Sequence, residues 1–163
     1  MKFLLICAWT LLTSCLGAFA ETLDQALDRI LAGEKLTQEQ IDAITDMQEF
    51  GPLVNGKRNN GSIYLQYVKR SIVDPARHGG WPTRATMVFE ERAQAKTYRE
   101  LKAIYETQKT PVVAYALVCP TMYVNDFKLL PELIAKIGEN KHLKAHFDKV
   151  YTSRWKPLLD PDF

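Results

Sequence analysis

The chain has 163 residues, 47% of them hydrophobic, 25% charged and 10% aromatic, with a net charge of +2. Eight glycines and eight prolines exclude collagen-like and low-complexity chains, and so balanced a charge excludes a nucleic-acid binder that works by neutralising phosphates. This length is enough to bury one core that folds unaided.

Met1 and Lys2 form a short positive start. Phe3 to Leu12 is apolar apart from Thr10, and small residues lead to Ala18-Phe19-Ala20 before Glu21. This is the three-part pattern of a secretory signal with an A-x-A cleavage site. The apolar stretch is shorter than the roughly 20 residues that a membrane span needs. The sequence therefore implies a signal peptide over 1–20 and one globular helical domain over 21–163, periplasmic or secreted. A second cleavage pattern overlaps the first. Leu12-Thr13-Ser14-Cys15 resembles the lipobox of bacterial lipoproteins, and cleavage there would leave Cys15 lipidated and the protein tethered to a membrane. Soluble release after Ala20 is the favoured expectation. Of the three cysteines only Cys119 lies well inside the mature chain, so the domain must be held by its core and not by disulfides.

Thr22-Leu23-Asp24-Gln25 has the capping-box pattern of a helix start, and Leu23, Ala26, Leu27, Ile30 and Leu31 follow at helical spacing. Gly33 stops this helix. Thr37 to Gln40 repeats the capping pattern, with Ile41, Ile44, Met47 and Phe50 on one face before Gly51-Pro52. The two segments predict an αα-hairpin. Residues 53–61, with Asn55-Gly56 and Asn59-Asn60-Gly61, read as a loop. Residues 62–73 fit a helix better than a strand, and 74–82 read as a second loop. Residues 92–108 predict a long polar helix. The apolar run from Val112 to Val118 fits a buried strand or a buried helix. Thr110-Pro111 is a helix start, whereas three valines suit a strand. Cys119-Pro120 closes the run. Residues 125–137 read as a helix broken or started at Pro131, and Asn140 caps a last helix running to Arg154. The predicted fold is mainly α, one helical domain beginning with the hairpin. The alternative is α+β with a buried strand near 111–118.

Charge is unevenly placed. Residues 21–50 hold eight acids and two bases, a balance of −6, and residues 51–163 hold eleven acids and eighteen bases, a balance of +7. Either the acidic start packs against the basic remainder, or the two form a dipolar surface that steers a charged partner.

Several residues invite a chemical reading. His142 and His146 are four apart on a predicted helix, the spacing that aligns two imidazoles for a metal. No Glu follows His142, so the H-E-x-x-H general base is missing, and a solvated basic face explains the pair as well. Cys119 follows an apolar run, which suits a buried thiol better than a nucleophile. Glu90 and Glu91 are adjacent and suit the first turn of the next helix. The segment carrying Lys69, Arg70, Arg77, His78, Trp81 and Arg84, with Gly79-Gly80 between, joins cations, glycines and an aromatic. Such loops carry binding, and Trp and Arg are favoured at interface hot spots. The plain alternative is that Trp81 folds onto the core while the bases are solvated.

These patterns imply an exported cell-envelope binding protein without catalytic activity, such as an inhibitor, immunity or accessory factor. Its partner would be a protein or an anionic envelope component, with no cofactor, no nucleic acid, and a membrane only if Cys15 is lipidated. The competing reading is a small periplasmic hydrolase, metal-dependent or not, that uses His142 and His146 with a carboxylate.

Overall fold

A computed structural model describes residues 21–45, 53–54, 57–78 and 91–152. The fold is mainly α. In chain order the helices are α1 (Leu23–Leu31), α2 (Gln38–Thr45), α3 (Asn60–Val73), α4 (Pro75–His78), α5 (Glu91–Gln108), α6 (Pro111–Tyr123), α7 (Leu130–Gly138) and α8 (Lys141–Val150). Between α2 and α3 the strands β1 (Leu53–Val54) and β2 (Lys57–Arg58) pair antiparallel, Leu53 opposite Arg58 and Val54 opposite Lys57.

The apolar run that allowed two readings is helical. The strand alternative near 111–118 is therefore corrected: these residues lie in α6. Thr110 caps the helix by accepting from the Val113 amide at 3.4 Å, and Pro111 occupies the first turn, where its missing N–H costs nothing. The helix continues through Pro120 to Tyr123 instead of closing at Cys119-Pro120. Pro120 removes the donor that would bond the carbonyl of Ala116, but the bond from the Val124 amide to the Pro120 carbonyl at 3.2 Å completes the last turn.

Every residue of α6 from Val112 to Thr121 is buried. A helix apolar on all sides must be covered on all sides, and the other helices do this. Helices α5 and α7 pack along α6, α3 bridges α5, α1 and α6, and α8 closes against α6, α7 and α1. The core that results contains Tyr64, Val68, Leu101, Tyr105, Tyr115, Leu117, Leu133, Ile137, Leu143 and Phe147. Tyr115 meets Phe147 edge to face, with centroids 5.7 Å apart.

Helix α1 is terminated at both ends as its sequence suggests. The Thr22 hydroxyl accepts from the Gln25 amide, and the Gln25 side chain accepts from the Thr22 amide at 2.9 Å. At the other end the Gly33 amide bonds the Ile30 carbonyl and the Glu34 amide bonds the Arg29 carbonyl, both at 2.9 Å. This Schellman closure needs a positive φ at the residue after the cap, and Gly33 supplies +94°. Helix α2 repeats the reciprocal cap through Thr37 and Gln40. The two helices touch, as a hairpin requires, although α1 packs more extensively on α3.

Two further boundaries differ from expectation. Asn59 is a cap and not a loop residue: its side chain accepts from the Ser62 amide at 2.8 Å, so α3 begins at Asn60. The expected loop at 74–82 starts with the short helix α4, because buried Asp74 accepts from the Arg77 amide at 3.0 Å. Of the two readings of 125–137, a helix broken or started at Pro131, the second holds within a residue: the segment is a turn until Leu130, where α7 starts. The expected reach of the last helix to Arg154 falls outside the described residues, as do Met47, Phe50, residues 1–20 and residues 79–82 of the second loop.

The N-terminus of α3 is fixed against α5 through a glycine. The Gly61 amide donates to Glu100 Oε2 at 2.8 Å, which places a carboxylate where the helix dipole favours one. A Cβ on Gly61 would lie 2.8 Å from Glu100 Cβ and 2.9 Å from the Leu101 amide nitrogen. Backbone cannot yield as a side chain can, so Gly61→Ala should force α3 and α5 apart. Chemical denaturation should show a loss of about 1–3 kcal/mol; a variant as stable as the parent would contradict this packing.

Candidate functional site

The basic residues singled out from the sequence lie on helices. Lys69 and Arg70 belong to α3, in the segment expected to be helical, whereas Arg77 and His78 belong to α4 and not to the expected loop. Lys69 Nζ reaches Asp24 Oδ1 of α1 at 2.7 Å, and Arg77 Nη2 reaches Asp42 Oδ1 of α2 at the same distance. Arg77 Nε also stands 3.6 Å from the buried Asp74 Oδ2. The acidic start of the chain thus packs against bases of the remainder, as the first of the two charge readings supposed. Trp81 and Arg84 lie outside the described residues, so the flank of this surface that the sequence emphasised most is not placed.

His142 and His146 share α8 but face different tasks. The His142 ring lies over Gly33, its Nε2 only 2.6 Å from where a Cβ would stand on that glycine. Beside it Asn140 caps α8 by accepting from the His142 and Leu143 amides and donates from Nδ2 to the Leu31 carbonyl at 3.0 Å. This end of α8 is therefore locked onto the end of α1. His146 turns inward against Tyr115, with ring centroids 5.8 Å apart. Its Nε2 is buried with no hydrogen-bond partner among the described residues. Burial first, and the Lys149 charge second, hold its pKa below the ordinary 6.5. Among the described residues no group of three or more His, Cys, Asp or Glu could hold a metal ion. Cys119 is a buried thiol outside any disulfide, and it interacts with the Tyr64 phenol. Burial, then Cys119, pushes the Tyr64 phenol well above its ordinary range.

One feature was not foreseen. Most large apolar side chains are covered, but Tyr123 and Phe127 remain 48% and 52% exposed. Tyr123 ends α6 and Phe127 lies in the turn that leads to α7, and that turn is held by side chains of α5. The Tyr98 hydroxyl donates to Asp126 Oδ2, Lys102 Nζ stands 3.6 Å from the same oxygen, and Lys102 also donates to the Tyr98 oxygen at 3.2 Å. The backbone adds bonds from Asp126 N to the Thr121 carbonyl and from Leu129 N to the Asp126 carbonyl, each 3.1 Å. Asn125 takes a left-handed φ of 59°, a conformation Asn tolerates better than most residues. Two aromatics are thus presented on a fixed turn. One local signal pointed here: Asn125-Asp126 is turn chemistry between two apolar segments, which leaves its flanking aromatics at a corner.

Compared with protein families, curated proteins and solved structures, the chain matches none.

The environment of His146 has a measurable consequence. Its pKa is lower folded than unfolded, so between those two values the unfolded chain binds more protons and stability rises with pH. The contribution is complete above 6.5 and is lost as pH falls through the depressed folded value. Urea titrations across this range should show a slope of at most about 1.4 kcal/mol per pH unit, and His146→Phe should remove it. An unchanged slope in His146→Phe would contradict the buried imidazole.

Proposed function

We propose that this protein is a non-catalytic binding domain of the bacterial cell envelope, exported by its N-terminal leader and acting on a protein partner as an inhibitor, immunity or accessory factor. The observation that carries the reading is the pair of exposed aromatics, Tyr123 and Phe127, on a turn fixed by Asp126, Tyr98 and Lys102. Exposed apolar groups on a rigid support mark interaction sites, and aromatics already fixed in place lose little freedom on binding. The export pattern of residues 1–20 supports an envelope location.

The test is paired affinity capture from envelope extract, with the parent chain and a Tyr123→Ser, Phe127→Ser variant as baits. A partner should be enriched on the parent and recovered poorly on the variant, since truncating one hot-spot aromatic costs roughly 2 kcal/mol or more. The variant should melt within a few degrees of the parent, because both side chains are half exposed. Equal recovery on both baits would overturn the reading, and so would turnover of an envelope substrate that His142→Ala abolishes.

A further inference from the structure

Among the helices that cover α6, α8 meets it over the shortest stretch, and that contact includes a polar ring. The His146 ring lies against Tyr115 with centroids 5.8 Å apart and planes at 55°. Tyr115 in turn meets Phe147 edge to face at 5.7 Å. His146 Nε2 is buried there with no hydrogen-bond partner among the described residues. The other end of α8 is held differently. Asn140 donates to the Leu31 carbonyl at 3.0 Å, and the His142 ring lies over Gly33. The first turn of α8 is therefore pinned to α1, while its second half rests on Tyr115.

A neutral imidazole suits this position better than an imidazolium. Protonation makes both ring nitrogens donors, so Nε2 becomes a buried N–H without an acceptor, and it gains a charge that burial penalises. The groups packed around α8 supply no counter-charge. Helix α6 presents Tyr115, a ring and not an anion, and contains no Asp or Glu. On α8 itself Lys149 repels a cation, and Asp148 pairs with Lys144. The acids at α7 are engaged elsewhere: Glu132 accepts from Tyr105, and Glu139 pairs with Lys136. On α1, Asp24 pairs with Lys69, Arg29 pairs with Glu21 and Glu34, and Asp28 is exposed to solvent.

We propose that α8 is an acid-sensitive flap on α6: protonation of His146 releases the second half of the helix from Tyr115 while α5, α6 and α7 stay packed. Release uncovers Phe147 and the side of α6 around Tyr115, an aromatic surface that neutral pH keeps closed. This device stands apart from the corner at Tyr123 and Phe127. Its direction follows from linkage. The packed ring has a pKa below 6.5, and the released ring regains the ordinary value. Below that value the released form binds more protons, so acid favours release, by up to about tenfold for each pH unit until the packed ring protonates in place.

Native-state hydrogen exchange on the full chain tests this, with each protection factor referred to the unstructured rate at its own pH. Amides of residues 145–150 should exchange through an opening of lower free energy than those of α6. Their protection should fall at least about twofold between about pH 7.5 and about pH 5.5. Amides of α2, whose local opening leaves His146 covered, should keep theirs. His146→Gln and His146→Phe, one polar and one apolar, should each abolish the fall at α8, and His142→Gln should retain it. Protection at 145–150 equal to that of α6 at both pH values would mean that α8 opens only with the whole molecule, and would overturn the proposal. So would protection there that is indifferent to pH, a fall shared equally by α2, a fall that survives both His146 variants, or one that His142→Gln abolishes.

Discussion

Helix α6 has no polar side, and the rest of the fold answers to that. Ten consecutive residues, Val112 to Thr121, are buried. An isolated helix of this kind would expose apolar surface around its whole circumference. Covering it takes α5 and α7 along its length, with α3 and α8 closing the remaining sides. The polar groups inside this core are correspondingly few. Tyr105 resolves its phenol by donating to Glu132 at 3.0 Å, and burial followed by that bond pushes its pKa up to about 12. Thr121 Oγ1 and His146 Nε2 find no hydrogen-bond partner among the described residues, a cost the apolar packing around them must offset.

Contacts between the first two helices and the remainder have a different character. Lys69 with Asp24 and Arg77 with Asp42 join residues far apart in sequence, and all but Lys69 are substantially exposed. Pairs of this kind contribute little stability in water. They fix where the acidic segment sits, while Ala26, Leu27 and Ile44 supply the apolar contact. Arg29 does similar work along α1, holding Glu21 ahead of the helix at 3.0 Å and Glu34 beyond it at 2.7 Å. The opposite net charges of the two chain segments therefore express themselves inside the molecule as well as on its surface.

What could be read from the sequence was local. The caps at Thr22, Thr37, Thr110 and Asn140 bond the amides their spacing predicts. Asn59 was harder, because Asn59-Asn60-Gly61 has the chemistry of a turn as much as of a cap, and the choice is settled by Glu100, which bonds the Gly61 amide from 39 residues away. The run at 112–118 was ambiguous for a related reason: a seven-residue apolar stretch satisfies either period, and only its neighbours decide. The basic cluster was visible, but its pairing with Asp24 and Asp42 was not, since charge counts carry no information on distance. The exposed Tyr123, Phe127 and Ile134 look like core residues in any pattern of apolar spacing. For Ile134 the exposure follows from which side of α7 meets α6, and that is decided by tertiary packing.

If α6 organises the fold, its backbone should open last. Native-state hydrogen exchange reads this directly, because amides protected by the global structure exchange only when the whole molecule unfolds. The amides of α6 that donate within the helix should be the slowest in the protein, exchanging with the free energy of global unfolding measured by denaturant, while those of α2 exchange through smaller, local openings. Amides of α6 that exchange as readily as those of α2 would contradict the account.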